Sequence, residues 1–235
     1  MSEFRFEPLG EELNICVSNE HSFGTDAFLL SAFASPKKSD VVYDLGTGCG
    51  IIPVLWYRTV PPKKVFAVDI QPQAIEQLEI TVRKNSLEGF SPICSDLKEL
   101  NPIEFADVVT CNPPYKASGA GIVSELTAEQ IARHEVLCNI YDVTAAAARL
   151  LKFGGRLCIC QRPERLCDVI DAMKKSGIEP KRLRFVQKNS DSAPWLFLIE
   201  GKKGSKPFLT VEKPFLINEG NEPSEETKKL YRPEE

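Results

Sequence analysis

Apolar residues along this chain alternate between strand-like runs and helix-like spacings. Val41-Val42-Tyr43-Asp44-Leu45 predicts a buried strand that ends in a glycine-rich turn. A helix is expected from Ile51 to Arg58, stopping before Pro61-Pro62, followed by a second strand over Lys64–Asp69. Pro72 suits the first turn of a helix, and Ile75, Leu78 and Val82 follow on one face. Residues 90–95 and 106–111 read as a third and a fourth strand. Val143, Ala146, Ala147, Leu150 and Leu151 mark another helix, closed by Gly154-Gly155. Arg156–Gln161 is a fifth strand. Pro163 opens a helix with Leu166, Val169, Ile170 and Met173 on one face, ended by Gly177. Arg182–Gln187 and Trp195–Glu200 read as a closing antiparallel pair. Strands alternating with helices predict an α/β fold with a mostly parallel sheet. Only short segments separate the elements, so one domain is expected over residues 1–217, with 1–40 packed onto it. A polar, acidic, loosely ordered tail is expected from 218 to 235.

Composition changes this picture little. Hydrophobic residues make up 43% and charged residues 26% of 235 positions, ordinary for a globular chain. The first residues are polar and mixed, and no apolar run approaches the roughly 18 residues of a membrane helix. A cytoplasmic protein without a membrane association is therefore expected. Eight cysteines include no Cys-x-x-Cys pair, and there are two histidines, His21 and His134. Cys158 and Cys160 are read onto opposite faces of their strand. No metal site is expected from these spacings.

Charge is more informative by position than in total. The net charge is −4, which argues against a polyanionic partner. Residues 174–206, however, hold nine lysines and arginines against three acids, whereas 207–235 hold seven acids against four bases. A basic local field of this kind attracts phosphates even on an acidic chain.

The chemistry gathers at strand ends. Asp44-Leu45-Gly46-Thr47-Gly48-Cys49-Gly50 places three glycines at alternate positions. They let the backbone turn tightly and approach a ligand closely. The spacing departs from G-x-G-x-x-G and counts against a dinucleotide. Asp69, ending the second strand, can accept bonds from both ribose hydroxyls of an adenosine. Ile70 can pack on the adenine face, and Asp96 can accept from the adenine amino group. Ligands of such sheets bind at the carboxyl ends of the strands, where all these residues fall.

After the fourth strand comes Asn112-Pro113-Pro114-Tyr115. The Asn112 side-chain oxygen and the Pro113 carbonyl can accept both N–H bonds of a conjugated amino group. Tyr115 offers a face on which a flat base or amide stacks. Holding such a nitrogen in line with a methyl donor is the catalytic problem, because its lone pair is delocalised. Proton loss afterwards is easy, so neither a metal nor a strong base is expected.

With this turn, residues 20–200 resemble the Rossmann-like class I S-adenosylmethionine-dependent methyltransferases. The resemblance implies a seven-stranded sheet with a final antiparallel strand and helices on both faces. It places Asp44, Gly46, Gly48, Gly50, Asp69, Ile70, Asp96 and Asn112 around S-adenosylmethionine. Within that class the chain resembles the bacterial family that methylates N6 of the adenine 3′ of the anticodon in a valine tRNA. The matching stretches are Phe23–Leu30, Asp44–Pro53, Asn112–Tyr115, Ala132–Glu135 and Gly177–Val186. In that resemblance Thr25 and Asp26 help close the donor pocket, although Asp26 also suits a cap for a helix starting at Ala27. Arg133 and His134 would lie on the acceptor side and touch RNA. Lys181, Arg182 and Arg184 would form a tRNA-facing edge. A monomer is favoured. Methylation of a release-factor glutamine at N5, or of another RNA or DNA amino group, would use the same turn. A non-catalytic RNA-binding subunit of the same fold is the alternative of another class.

Overall fold

The computed structural model describes residues 4–10, 12–19, 21–113 and 138–232. A hairpin of β1 (Arg5–Pro8) and β2 (Asn14–Val17) comes first, then α1 (Thr25–Ala34). The glycine-rich turn joins β3 (Val41–Leu45) to α2 (Ile51–Leu55), which runs into a 3-10 turn over Trp56–Arg58. Next come β4 (Lys64–Asp69), α3 (Pro72–Lys84), β5 (Phe90–Cys94) and β6 (Ala106–Cys111). After residue 137 the order is α4 (Ile140–Leu150), β7 (Leu151–Gln161), α5 (Leu166–Lys175), β8 (Ile178–Gln187) and β9 (Leu196–Lys203).

The strands that the hydrophobic runs predict lie side by side in the order β8-β9-β7-β6-β3-β4-β5. Pairing is parallel along β7-β6-β3-β4-β5, and β9 runs antiparallel to both β7 and β8. The antiparallel strand is thus last of the seven in sequence but lies inside the sheet. Two further strands, β10 (Thr210–Val211) and β11 (Phe215–Leu216), pair in parallel with β8, so the sheet has nine strands among the described residues. Period-two alternation divides the core between the faces. Val42, Val65 and Val108 pack with α1, α2 and α3, while Tyr43, Phe66 and Val109 pack with α4 and α5.

Three expectations need correction. Gly154-Gly155 does not close a helix. Helix α4 stops at Leu150, and the glycines lie in an irregularity of β7, where the pairing jumps from Ala106↔Leu151 to Val108↔Arg156. Cys158 and Cys160 share one face, as residues two apart on a strand must, and both pack into the cluster with α1. The C-terminal stretch is not a loose tail over 218–232. It forms a hairpin of β12 (Asn218–Glu219) and β13 (Glu222–Pro223), then α6 (Glu225–Tyr231), with Ser224 accepting from the Thr227 N–H at 3.1 Å as its cap. Two-residue strands carry no readable period, and three contacts tether the stretch to the body of the fold. Arg184 pairs with Glu226 at 2.7 Å, Arg58 donates to the Leu230 carbonyl at 3.2 Å, and the Tyr231 hydroxyl donates to Thr25 Oγ1 at 2.9 Å.

The N-terminal hairpin docks on α3 through a polar ladder at helical spacing. Gln77 Nε2 donates to the Cys16 carbonyl at 2.8 Å, Thr81 Oγ1 accepts from the Cys16 N–H at 2.9 Å, and Asn85 exchanges two bonds with Asn14. Gln77 and Thr81 are buried, so these bonds satisfy backbone groups that water cannot reach.

Candidate active site

The loop after β3 is built from left-handed backbone. Gly46, Gly48 and Gly50 have φ of +67°, +54° and +80°, which glycine alone adopts without strain. The turn is pinned by the Thr47 N–H donating to the Val68 carbonyl and by the Gly50 N–H donating to the Thr47 carbonyl, at 2.9 and 2.8 Å. A Cβ on Gly46 or Gly48 would meet nothing within 4 Å, whereas one on Gly50 would strike Leu78. The turn therefore opens onto space at its first two glycines and packs against the core at its third. Such a cradle fits a ligand that lies against bare backbone.

Asp69 faces this cradle from the end of β4. Its Oδ2 accepts the Gly48 N–H at 2.8 Å and its Oδ1 accepts the Gln71 N–H at 2.9 Å. Ile70 is next, 43% exposed although apolar. Asp96, beyond β5, accepts the Lys98 N–H at 2.8 Å. A paired carboxylate, an exposed apolar face and a second carboxylate in this order suit the ribose and adenine of an adenosine. Asp44 lies beneath the turn, buried, with its two oxygens accepting the Thr47 and Thr110 hydroxyls at 2.6 Å each. Burial raises its pKa to about 7, the charge of Asp69 adds to the rise, and the two hydroxyls oppose it.

Asn112 follows the last residue of β6, on the strand next to β3. Its Nδ2 donates to Asp26 Oδ2 at 3.0 Å, and its Oδ1 accepts from the Cys160 thiol at 3.1 Å. Asp26 is in the first turn of α1, where its Oδ1 accepts the Ala27 N–H at 3.0 Å. The N-cap of α1 is Gly24, so Asp26 sits inside the helix rather than capping it. Thr25 is tied to Tyr231. Pro113 is half-buried beside Asn112. Tyr115, Arg133 and His134 lie outside the described residues.

The basic edge is engaged within the chain. Arg182 donates to the Phe33 carbonyl at 2.8 Å, pairs with Glu200 at 3.1 Å and Glu212 at 3.4 Å, and lies over the Phe33 ring. Arg184 forks onto Glu226 and donates to the Lys213 carbonyl. Lys181 donates to the Lys206 and Pro207 carbonyls. These side chains stitch residues 206–226 onto β8, and their charges are met by the chain's own acids and carbonyls. Charge counting along a sequence does not see such partners.

Three contributors escaped sequence reasoning. Thr47 stands between two glycines of the turn, where the glycines draw the eye. Thr110 is the cross-strand partner of Asp44, a relation visible only once the β3–β6 register is known. Cys160 lies one residue past Ile159, the partner of Cys111, and so reaches Asn112. Among the described residues, no three His, Cys, Asp or Glu side chains are grouped as a metal would require, and no helix is long and apolar enough to cross a membrane.

Known proteins resemble this chain in sequence and fold. A protein of Histophilus somni strain 129Pt named tRNA1(Val) (adenine(37)-N6)-methyltransferase is 31% identical over 223 residues, covering 83% of this chain and 90% of its own. One of the same name from Parabacteroides distasonis is 26% identical over 181 residues, 75% of each chain. In fold, a predicted O-methyltransferase from Agrobacterium tumefaciens matches with a TM-score of 0.71 at 18% identity, over 88% of this chain and 95% of that one. The structure of M. jannaschii TYW2 in complex with AdoMet matches with a TM-score of 0.58 at 14% identity, over 86% of each chain. Residues 17–176, well over half of the sequence, match the family model described as the methyltransferase small domain, and the chain belongs to that family.

Proposed function

We propose that this protein methylates the exocyclic N6 amino group of an adenine in tRNA, with S-adenosylmethionine as donor. The observation that carries the reading is the Asn112 amide, at the end of β6 and one strand from an open glycine cradle. Relatives named as tRNA1(Val) adenine-37 N6-methyltransferases support the adenine 3′ of a valine anticodon as the target. Bound at the cradle, S-adenosylmethionine supplies an electrophilic methyl carbon. Gly46 and Gly48 would bring bare backbone against it, Asp69 would accept its ribose hydroxyls, Ile70 would cover its adenine, and Asp96 would accept the adenine amino group.

The acceptor side is the work of the chain's own groups. Asn112 Oδ1 and the Pro113 carbonyl accept the two N–H bonds of the target, which fixes the nitrogen and favours a pyramidal geometry with its lone pair directed outward. Tyr115 stacks on the base, which is unstacked from the anticodon loop. Arg133 and His134 are RNA contacts in this reading. It requires no metal and goes with a cytoplasmic monomer.

Purified protein incubated with labelled donor and total RNA, then with total protein, tests the proposal. Labelled N6-methyladenosine from tRNA is expected on digestion. Labelled N5-methylglutamine would replace the substrate class, and failure to bind the donor at all would remove the enzymatic reading.

A further inference from the structure

An amide group is a catalytic acceptor only when its oxygen faces the substrate. Carbonyl and amino ends of asparagine are nearly the same size, so packing alone does not choose between the two orientations related by a half-turn of χ2. Something must choose at Asn112. An ionised carboxylate accepts hydrogen bonds and donates none. Asp26 Oδ2 lies 3.0 Å from the Asn112 amide nitrogen, so only the amino end can face it.

We propose that Asp26 is a positioning residue that sets the polarity of the Asn112 amide and thereby presents Oδ1 to the amino group being methylated. The inference rests on the proposed amino-group methylation at this site and adds a residue to it. Asp26 is itself fixed. Its other oxygen accepts the Ala27 N–H at 3.0 Å in the first turn of α1, where helix N–H groups favour negative charge. The two oxygens thus divide the work, one holding the helix and the other holding Asn112. Cys160 matches the same polarity from β7, its thiol donating weakly to Asn112 Oδ1 at 3.1 Å. An oxygen with two lone pairs accepts the thiol and a substrate N–H together. A flipped amide would set an N–H group against the N–H of the substrate.

The geometry predicts a reciprocal rescue. In Asp26→Asn the side chain has one oxygen to offer both the Ala27 N–H and the Asn112 amino group. If its oxygen keeps the Ala27 N–H, its amino group faces Asn112, whose amide turns over and offers N–H to the substrate. In Asp26→Asn with Asn112→Asp, the new amino group meets a carboxylate whose second oxygen again faces the acceptor.

The test compares wild type, Asp26→Asn and the double variant by steady-state kinetics on tRNA, with donor affinity measured separately by calorimetry. Asp26→Asn is expected to lower kcat about 100-fold and to leave donor Kd within about threefold of wild type. The double variant should recover at least about tenfold of that loss. Unchanged kcat in Asp26→Asn, a parallel loss of donor affinity, or a double variant no better than Asp26→Asn would each overturn the proposal. Asparagine side-chain 15N NMR supplies a reading without substrate, with the Asn112 NH2 pair assigned by its absence in Asn112→Asp. In wild type that pair should be protected from exchange, and solvent-like exchange would overturn the proposal even if Asp26→Asn fails to fold. If wild type methylates no tRNA while the pair is protected, the tRNA reading fails and the orientation stands.

Discussion

Asp69 accepts the backbone N–H of Gly48 at 2.8 Å, so the end of β4 holds the turn that follows β3. One carboxylate thus shapes the cradle and lies where a ribose would be recognised. Asp69→Ala leaves the Gly48 N–H without this acceptor and removes the proposed ribose acceptor together. Donor Kd is expected to rise at least about tenfold, the size of losing a charged hydrogen-bond partner. Calorimetric titration with S-adenosylmethionine checks this, and an unaltered affinity would remove Asp69 from the donor site.

Much of this site could be read without coordinates because its parts are local. The Gly46–Gly50 turn, Asp69 and Asn112 each follow an apolar run whose strand character is plain, and parallel strands bring their carboxyl ends to one edge. What escaped depends on relations across the chain. Thr110 becomes a partner of Asp44 only through the β3–β6 register. Asp26 reaches Asn112 across 86 positions, so its local role as a cap looked equally good. The partners of Arg182 escaped because Glu200 and Glu212 are distant in sequence and adjacent in space.

Arg182 follows from that last point. With Glu200, Glu212, the Phe33 carbonyl and the Phe33 ring around it, its removal strands a well-covered Glu200 that Arg156 also pairs. Arg182→Ala should cost about 2 kcal/mol of stability, less than a fully buried pair because half of the cage remains. Urea denaturation measures it. On the reading that these partners occupy Arg182, the dependence of tRNA affinity on salt should keep its slope. A slope smaller by about one with stability unaltered would return Arg182 to the RNA surface.

Asp44 gives the fold a pH dependence of definite sign. Burial raises its pKa from 3.8 to about 7. The folded chain therefore keeps a proton that the unfolded chain releases as pH climbs through roughly 4 to 7. This contribution is most favourable at low pH, declines across that window and levels off above about 7. Asp44→Asn imitates the neutral acid, and the Thr47 and Thr110 hydroxyls can rotate to meet the amide. Between pH 5 and pH 8 the wild type should lose about 2–3 kcal/mol more stability than Asp44→Asn. Equal losses in the two proteins would mean that Asp44 is already ionised at pH 5.

Two neighbouring glycines separate the needs of the fold from those of the ligand. Gly50→Ala drives a Cβ into Leu78 Cδ1 at a φ of +80°. Leu78 is fully buried, so the clash spreads into the core. Left-handed strain and overpacking together should cost about 2–4 kcal/mol. Gly48→Ala meets no atom within 4 Å at a φ of +54°, so its cost is the backbone strain alone, about 1 kcal/mol. Its methyl group nevertheless occupies the space beside the turn. Thermal melts should rank Gly50→Ala well below Gly48→Ala, whereas donor affinity in the folded state should fall at least about tenfold for Gly48→Ala. The two rankings run in opposite directions only if a ligand lies against Gly48. Wild-type donor affinity in Gly48→Ala would place the donor elsewhere on the sheet edge and leave the open cradle without its proposed use.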